Sequence, residues 1–207
     1  MVRPMNILRV FILLVIPFSV LSQKNMDTIL SESIAFQKET NHSYADSNHS
    51  PLTPEDLTKF DKLPFFEIDS NFYVIAKFVK SSKSKSVKFK TSTDRKPKYE
   101  IYGTIFFTIY DIEYSLKVYQ SHSLREREEF KNYLFLPFSD LTNGSDSYGG
   151  GRYIDLTIPT EDEIVINFNK AYNPYCAYSS RYSCPVVPEE NFLNVEIRAG
   201  VMAPKSH

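Results

Sequence analysis

The chain has 207 residues, with 24 Lys+Arg against 25 Asp+Glu and a formal net charge of −1, so its overall charge gives no pull toward nucleic acid or an anionic membrane. Sixteen Phe, 14 Tyr, 12 Pro, only 6 Gly and no Trp suit a strand-rich domain with stiff loops. Four scattered histidines (His42, His49, His122, His207) and the absence of a Cys-x-x-Cys pair give none of the common metal-site spacings, and no cofactor is expected.

Residues 1–22 read as a signal peptide. Arg3 and Arg9 form a positive start, Val10 to Leu21 is apolar, and Val20 and Ser22 are small enough for cleavage before Gln23. An apolar run of roughly a dozen residues falls short of the ~20 that a spanning helix needs. No cysteine follows it to take a lipid. The expectation is an exported protein, periplasmic or secreted, with no stable membrane anchor after cleavage. What remains is long enough for one domain with a real core.

Residues 23–62 are expected to form a helical N-terminal segment. Ile29, Leu30, Ser33 and Phe36 recur at helical spacing, and the polar stretch from His42 to Ser50 reads as a loop. Thr53-Pro54-Glu55-Asp56 has the pattern of a capped helix start. From residue 63 to 201 the apolar period becomes two, and residues 202–207 are a tail. Phe72 to Val79 and Val87 to Lys90 flank a Lys/Ser stretch, Lys80 to Ser86, that reads as a hairpin tip. Lys80, Lys83, Lys85, Lys88 and Lys90 form either a basic patch or a solvated tip with lysines guarding an edge.

Tyr99 to Ile109, Glu113 to Tyr119 (after a turn near Asp111), Asn132 to Phe138 and Leu193 to Ala199 follow as strands, with Arg125 to Glu129 a charged surface turn. About nine short strands at this spacing predict an all-β fold, an antiparallel sandwich or partly open barrel with a short helical N-terminal segment.

Arg152 to Ile158 and Ile164 to Lys170 are expected to pair as a hairpin. Keeping one apolar face together pairs Ile158 with Ile164, Leu156 with Ile166 and Ile154 with Phe168, and brings Arg152 opposite Lys170. The reverse face then carries Tyr153, Asp155 and Thr157. Facing cations are unfavourable, and Gly149-Gly150-Gly151 beside them has the freedom to approach a ligand closely. One reading is a site for a carboxylate, phosphate or sulfated ligand. The other is a glycine bulge with Arg152 paired to a carboxylate such as Asp140, Asp146 or Glu190.

Cys176 and Cys184 lie close in sequence, and an even count in an exported chain argues for a disulfide. Six of the tyrosines lie between Tyr148 and Tyr182. They suit either a sugar or aromatic ligand at a wet site or loops packed by their own rings.

Gly149 to Leu156, Phe168 to Tyr178, Cys184-Pro185 and Glu190-Asn191, together with Thr91 to Pro97, Tyr102-Gly103 and Tyr133 to Phe138 upstream, resemble the signature of the bacterial domain of unknown function 1684 family, in its shorter, exported members. The likeness runs from about Phe65 to Gly200. It implies no established activity, and so carries over no catalytic residues. Members of the family often hold Asp where this chain has Asn167, so any role of that carboxylate would be missing here.

Three functions follow. The first is a non-enzymatic binding module for a small anionic or sugar-like ligand at Arg152, Lys170, Asn169, Tyr172 and Asn173, with no nucleic acid as partner. The second is a hydrolase of envelope or imported polymers, with Asp155 or Glu190 as acid or base. The third is a purely structural envelope protein.

Overall fold

The computed structural model describes residues 18–204. The signal peptide expected at residues 1–22 lies outside the described residues as far as residue 17, as does the end of the expected tail from residue 205. Helix α1 (Phe18–Ala45) runs further than expected, through His42 to Ala45. Its end is anchored by Tyr44, which is buried against Leu52, Leu63 and Val201. Helix α2 (Pro54–Lys59) starts as its sequence predicts: the Thr53 hydroxyl accepts from the Asp56 N–H at 3.1 Å and donates to the Asp56 carboxylate at 2.6 Å. Among the described residues no helix is long and apolar enough to cross a membrane.

Seven strands follow, β1 (Tyr73–Lys88), β2 (Lys98–Ile109), β3 (Ile112–Ser121), β4 (Tyr133–Asp140), β5 (Arg152–Thr157), β6 (Glu163–Asn167) and β7 (Phe192–Leu193). They form one sheet in the order β5-β4-β3-β2-β1-β6, antiparallel throughout, with β7 added in parallel beside β4. β2 and β3 are joined by a two-residue turn whose Tyr110 (φ 51°) and Asp111 (φ 62°) are both left-handed, the tight connection that matches strand twist.

The two ends of this order, β5 and β6, are joined by only residues 158–162. A six-strand path laid flat is about 24 Å wide, whereas six peptide steps reach about 20 Å. The sheet must therefore curl, and it forms a half-barrel around Phe72, Ile105, Leu116, Leu134, Phe138, Ile166 and Phe168. The fold is the all-β, partly open barrel expected.

Three expectations are corrected. Lys80 to Ser86 is not a hairpin tip. β1 continues through it, paired to β2 up to Lys80 and again from Lys85 to Lys88, with a register shift across the residues between. The last strand is two residues long, and 194–199 is irregular. Most important, β5 and β6 do not pair. Ile154 lies opposite Leu136 and Leu156 opposite Leu134, while Ile166 lies opposite Val74 and Ile164 opposite Ala76. Sequence alternation sets which face is buried, and both strands do bury the expected face in the same core. It does not set which strand is the neighbour.

Arg152 is consequently not at an open end. It is fully buried and paired with Asp140 at 2.8 Å, one of the alternatives its sequence left open. Its guanidinium also donates to the carbonyls of Ala199 (2.5 Å) and Ile197 (2.7 Å) and lies over the ring of Phe138. Asp140 accepts in addition from the Thr142 N–H and hydroxyl and from the Ile197 N–H. Burial pulls Arg152 below its ordinary pKa, and Asp140 pushes the other way. Gly151, just before it, has φ +86°, and a Cβ there would sit 2.7 Å from the Phe138 carbonyl oxygen. Gly151 thus permits the close approach of β5 to β4 and is required by backbone contact.

A side chain completes the ladder between β3 and β4, where a single pair, Tyr119 and Phe135, is in register. Pro137 has no N–H to give. The Asn191 amide fills the gap, accepting from the Lys117 N–H at 2.9 Å and donating to the carbonyls of Lys117 (2.9 Å) and Pro137 (2.6 Å).

Removing one partner of a buried ion pair strands the other charge, at a cost of roughly 3–5 kcal/mol. Asp140→Ala is therefore expected to lower the urea midpoint sharply, whereas Arg198→Ala, which breaks the half-exposed pair to Asp146, should change stability by less than about 1 kcal/mol.

Candidate functional site

The sheet has two covered faces. Opposite the half-barrel core, Tyr119, Phe135 and Tyr153 project from β3, β4 and β5 and pack with Phe89 and Tyr99 into a ring cluster. The alternation that sends Leu134, Leu136, Ile154 and Leu156 inward necessarily sends Tyr133, Phe135, Tyr153 and Asp155 to this second face. Helix α1 and the loop after β6 stand over it and leave a cleft of about 650 Å³.

One wall of the cleft is the sheet, with Tyr99, Tyr133, Phe135, Tyr153 and Asp155; the other is α1, with Phe36, Glu39, Thr40, Ser43 and Tyr44. Lys170, Tyr172, Pro174, Tyr175 and the stretch Tyr182 to Pro185 close the end. The loop is docked on β5 by a backbone bridge: Tyr153 and Tyr172 exchange N–H to carbonyl hydrogen bonds of 2.9 and 3.0 Å.

At its centre lies Asp155. One carboxylate oxygen accepts the hydroxyls of both Tyr133 (2.7 Å) and Tyr172 (2.6 Å), while the residue as a whole remains exposed. Two tyrosines are thereby oriented, and the second carboxylate oxygen has no partner among the described residues. The hydroxyl of Tyr153 is taken by the Pro185 carbonyl, so that ring offers its face alone. Lys170 makes no ion pair among the described residues.

Of the seven ligand-binding candidates named from sequence, the structure therefore gathers Asp155, Lys170 and Tyr172 in the cleft, joined there by Tyr153, Tyr175 and Tyr182 of the tyrosine-rich stretch. The other four candidates are elsewhere. Arg152 is on the core face of β5, away from Lys170, because side chains alternate and Asp155 and Tyr153 take the cleft side. Asn169 is buried and ties Asp69 down through both ends of its amide, at 3.0 Å each. Asn173 donates to the Met202 carbonyl (2.8 Å) and the Tyr178 hydroxyl (3.0 Å). Glu190 accepts from the Tyr119 hydroxyl at 3.2 Å and lies outside the cleft lining. Asn167 accepts from the Asn169 N–H and its amide and donates to Ser33 of α1. Sequence reasoning missed Tyr133, Tyr99, Glu39 and Tyr44. Only the alternation of Tyr133 and Phe135 against Leu134 and Leu136 pointed to the first of these.

Cys176 and Cys184 are brought together as expected. They stand as free thiols, with the Cys176 N–H donating to the Cys184 sulfur at 3.1 Å. Burial pushes the Cys184 thiol up to about 12, which makes it a poor nucleophile at neutral pH. Among the described residues no group of three His, Cys, Asp or Glu side chains is placed to hold a metal ion.

Comparison with known proteins fits this architecture. Residues 58–202 match the family model described as a protein of unknown function, DUF1684, and the chain belongs to that family. It is similar to the uncharacterised protein from gene locus rrnAC0354 of Haloarcula marismortui, solved in solution by NMR. The two are 32% identical, with 89% of this chain and 99% of that one covered and a TM-score of 0.69. No curated protein matches.

Burial raises the pKa of Tyr44, Tyr99, Tyr133, Tyr153, Tyr172 and Tyr175 around the cleft, with the Asp155 charge adding to it at Tyr133, Tyr172 and Tyr175. A folded-state value above the unfolded one, near 10, means that these tyrosines stabilise the fold fully below that pH and lose their contribution as pH rises past it. Absorbance titration at alkaline pH should show this set ionising late and together with unfolding, whereas denatured protein ionises all its tyrosines near pH 10.

Proposed function

We propose that this protein is an exported, non-enzymatic binding module whose cleft takes a small sugar-like ligand. The observation that carries the reading is the convergence on one cleft of tyrosine faces with a carboxylate already oriented by two phenols. Clefts of this size, mostly apolar with a few fixed polar groups, are the usual form of small-molecule sites. Asp155 and the Tyr133 and Tyr172 oxygens accept, Lys170 donates and Ser43 does either, while the Thr40 hydroxyl, which donates to the Phe36 carbonyl, can still accept. This inventory suits neighbouring hydroxyl groups laid against a ring face.

An anionic ligand fits less well. The charge of Arg152 is already neutralised by Asp140 in the core, and the cleft sets Asp155 and Glu39 against Lys170. Export would oxidise Cys176 and Cys184 and fix the loop that carries Tyr172, Tyr175 and Tyr182. Peptide mapping without reductant should then recover the two cysteines in one cross-linked fragment; separate thiols in protein taken from outside the cytoplasm would contradict the proposal.

The direct test is a thermal-shift screen of mono- and oligosaccharides, since a ligand of the folded state raises the melting temperature. A saccharide hit should weaken by roughly tenfold or more in Asp155→Ala, the loss of a charged hydrogen-bond partner, and less in Tyr172→Phe. Failure of every saccharide, or equal binding by Asp155→Ala, would remove the cleft as a sugar site.

A further inference from the structure

The extended end of the β1–β2 ribbon holds a second feature, separate from the cleft. Residues 80–98 contain eight cations and one acid, Asp94, a net of +7 in a chain of −1, which leaves −8 on the rest. In register, Lys88 of β1 lies directly opposite Lys98 of β2. Phe89 and Tyr99 alternate with them and are buried in the ring cluster, so the two lysines share the other face. Lys90 and Lys96 continue the two rows beyond the paired positions, where the Phe89 N–H still bonds the Pro97 carbonyl at 3.0 Å. All four lysines are exposed.

Like charges directly opposite each other destabilise a strand pair. Among the described residues none of these four lysines has a carboxylate within ion-pair distance, and the acid nearest along β2, Glu100, is held by Arg125 at 2.6 Å. Guarding an open sheet edge explains lysines on the far half of β1, which β6 does not cover. It does not explain Lys98, because β2 is an interior strand bonded on one side to β1 and on the other to β3.

We propose that this face docks a linear phosphate-bearing polymer. The lysines stand in two rows about 5 Å apart across the ribbon and repeat every ~7 Å along it, a track of mobile point charges matched to a repeating anion. The two rings between them point the other way, so the surface offers phosphate contacts without a platform on which nucleic-acid bases would stack.

Titration of the full chain with long-chain sodium polyphosphate tests the proposal. Binding is expected, with log K falling against log salt at a slope on the order of −3, from four contacts at ~0.7 each. Lys88→Glu with Lys98→Glu should weaken binding by roughly tenfold or more, while Lys38→Glu with Lys62→Glu, the same change of net charge elsewhere on the surface, should leave it nearly unchanged. Absence of binding at low salt, equal loss in both double variants, or binding to phosphatidylglycerol vesicles but not to polyphosphate would each overturn it.

Discussion

A charge sealed inside the half-barrel governs this fold. Arg152 loses all its water on folding, a cost of several kcal/mol per ion, and the structure meets it by converging three pieces of chain on one guanidinium. Asp140 ends β4, Arg152 begins β5, and the carbonyls of Ile197 and Ala199 come from the irregular C-terminal segment. Ile197 and Ala199 also bury their side chains in the core, so packing and the ion pair hold the same stretch of chain. The ion pair positions the C-terminal run, whose Val201 in turn closes the small core under α1.

Residues within the span matched by the family model do much of this framing. Arg152, Asn169 and Asn191 are buried and bonded to backbone, and Gly151 admits β5 against β4. In the cleft, Phe36, Glu39 and Tyr44 of α1 precede residue 58, where that span begins. The sheet wall thus lies inside the span that the family model matches, and the α1 wall lies outside it.

How much was legible in the sequence depended on whether a residue's role was local. The Thr53 cap, the β2–β3 turn and the burial of Ile154, Leu156, Ile164 and Ile166 all follow from near neighbours, and all were found. Pairing was not local. Two strands with matching apolar faces look like a hairpin, yet β5 is satisfied by β4, the strand just before it, and β6 by β1 far upstream, and five connecting residues are enough to bridge a curled sheet. The candidate site suffered from the same blindness. Arg152 was noticed for its charge, although its position on the inward face already put it with Ile154 and Leu156, while Asp155, three residues on, was on the face that stays open. Asn191 could not be anticipated, because its task is set by a proline on another strand.

That asparagine has a mechanical consequence. With one main-chain pair and one side-chain amide between β3 and β4, the half-barrel is two stiff staves meeting along a thin joint. The ring-lined groove straddles the joint, with Tyr99 rooted in one stave and Tyr133, Tyr153 and Asp155 in the other. A small change of angle between the staves would widen or pinch that groove without unfolding either half, so its aperture is tied to the weakest line in the sheet.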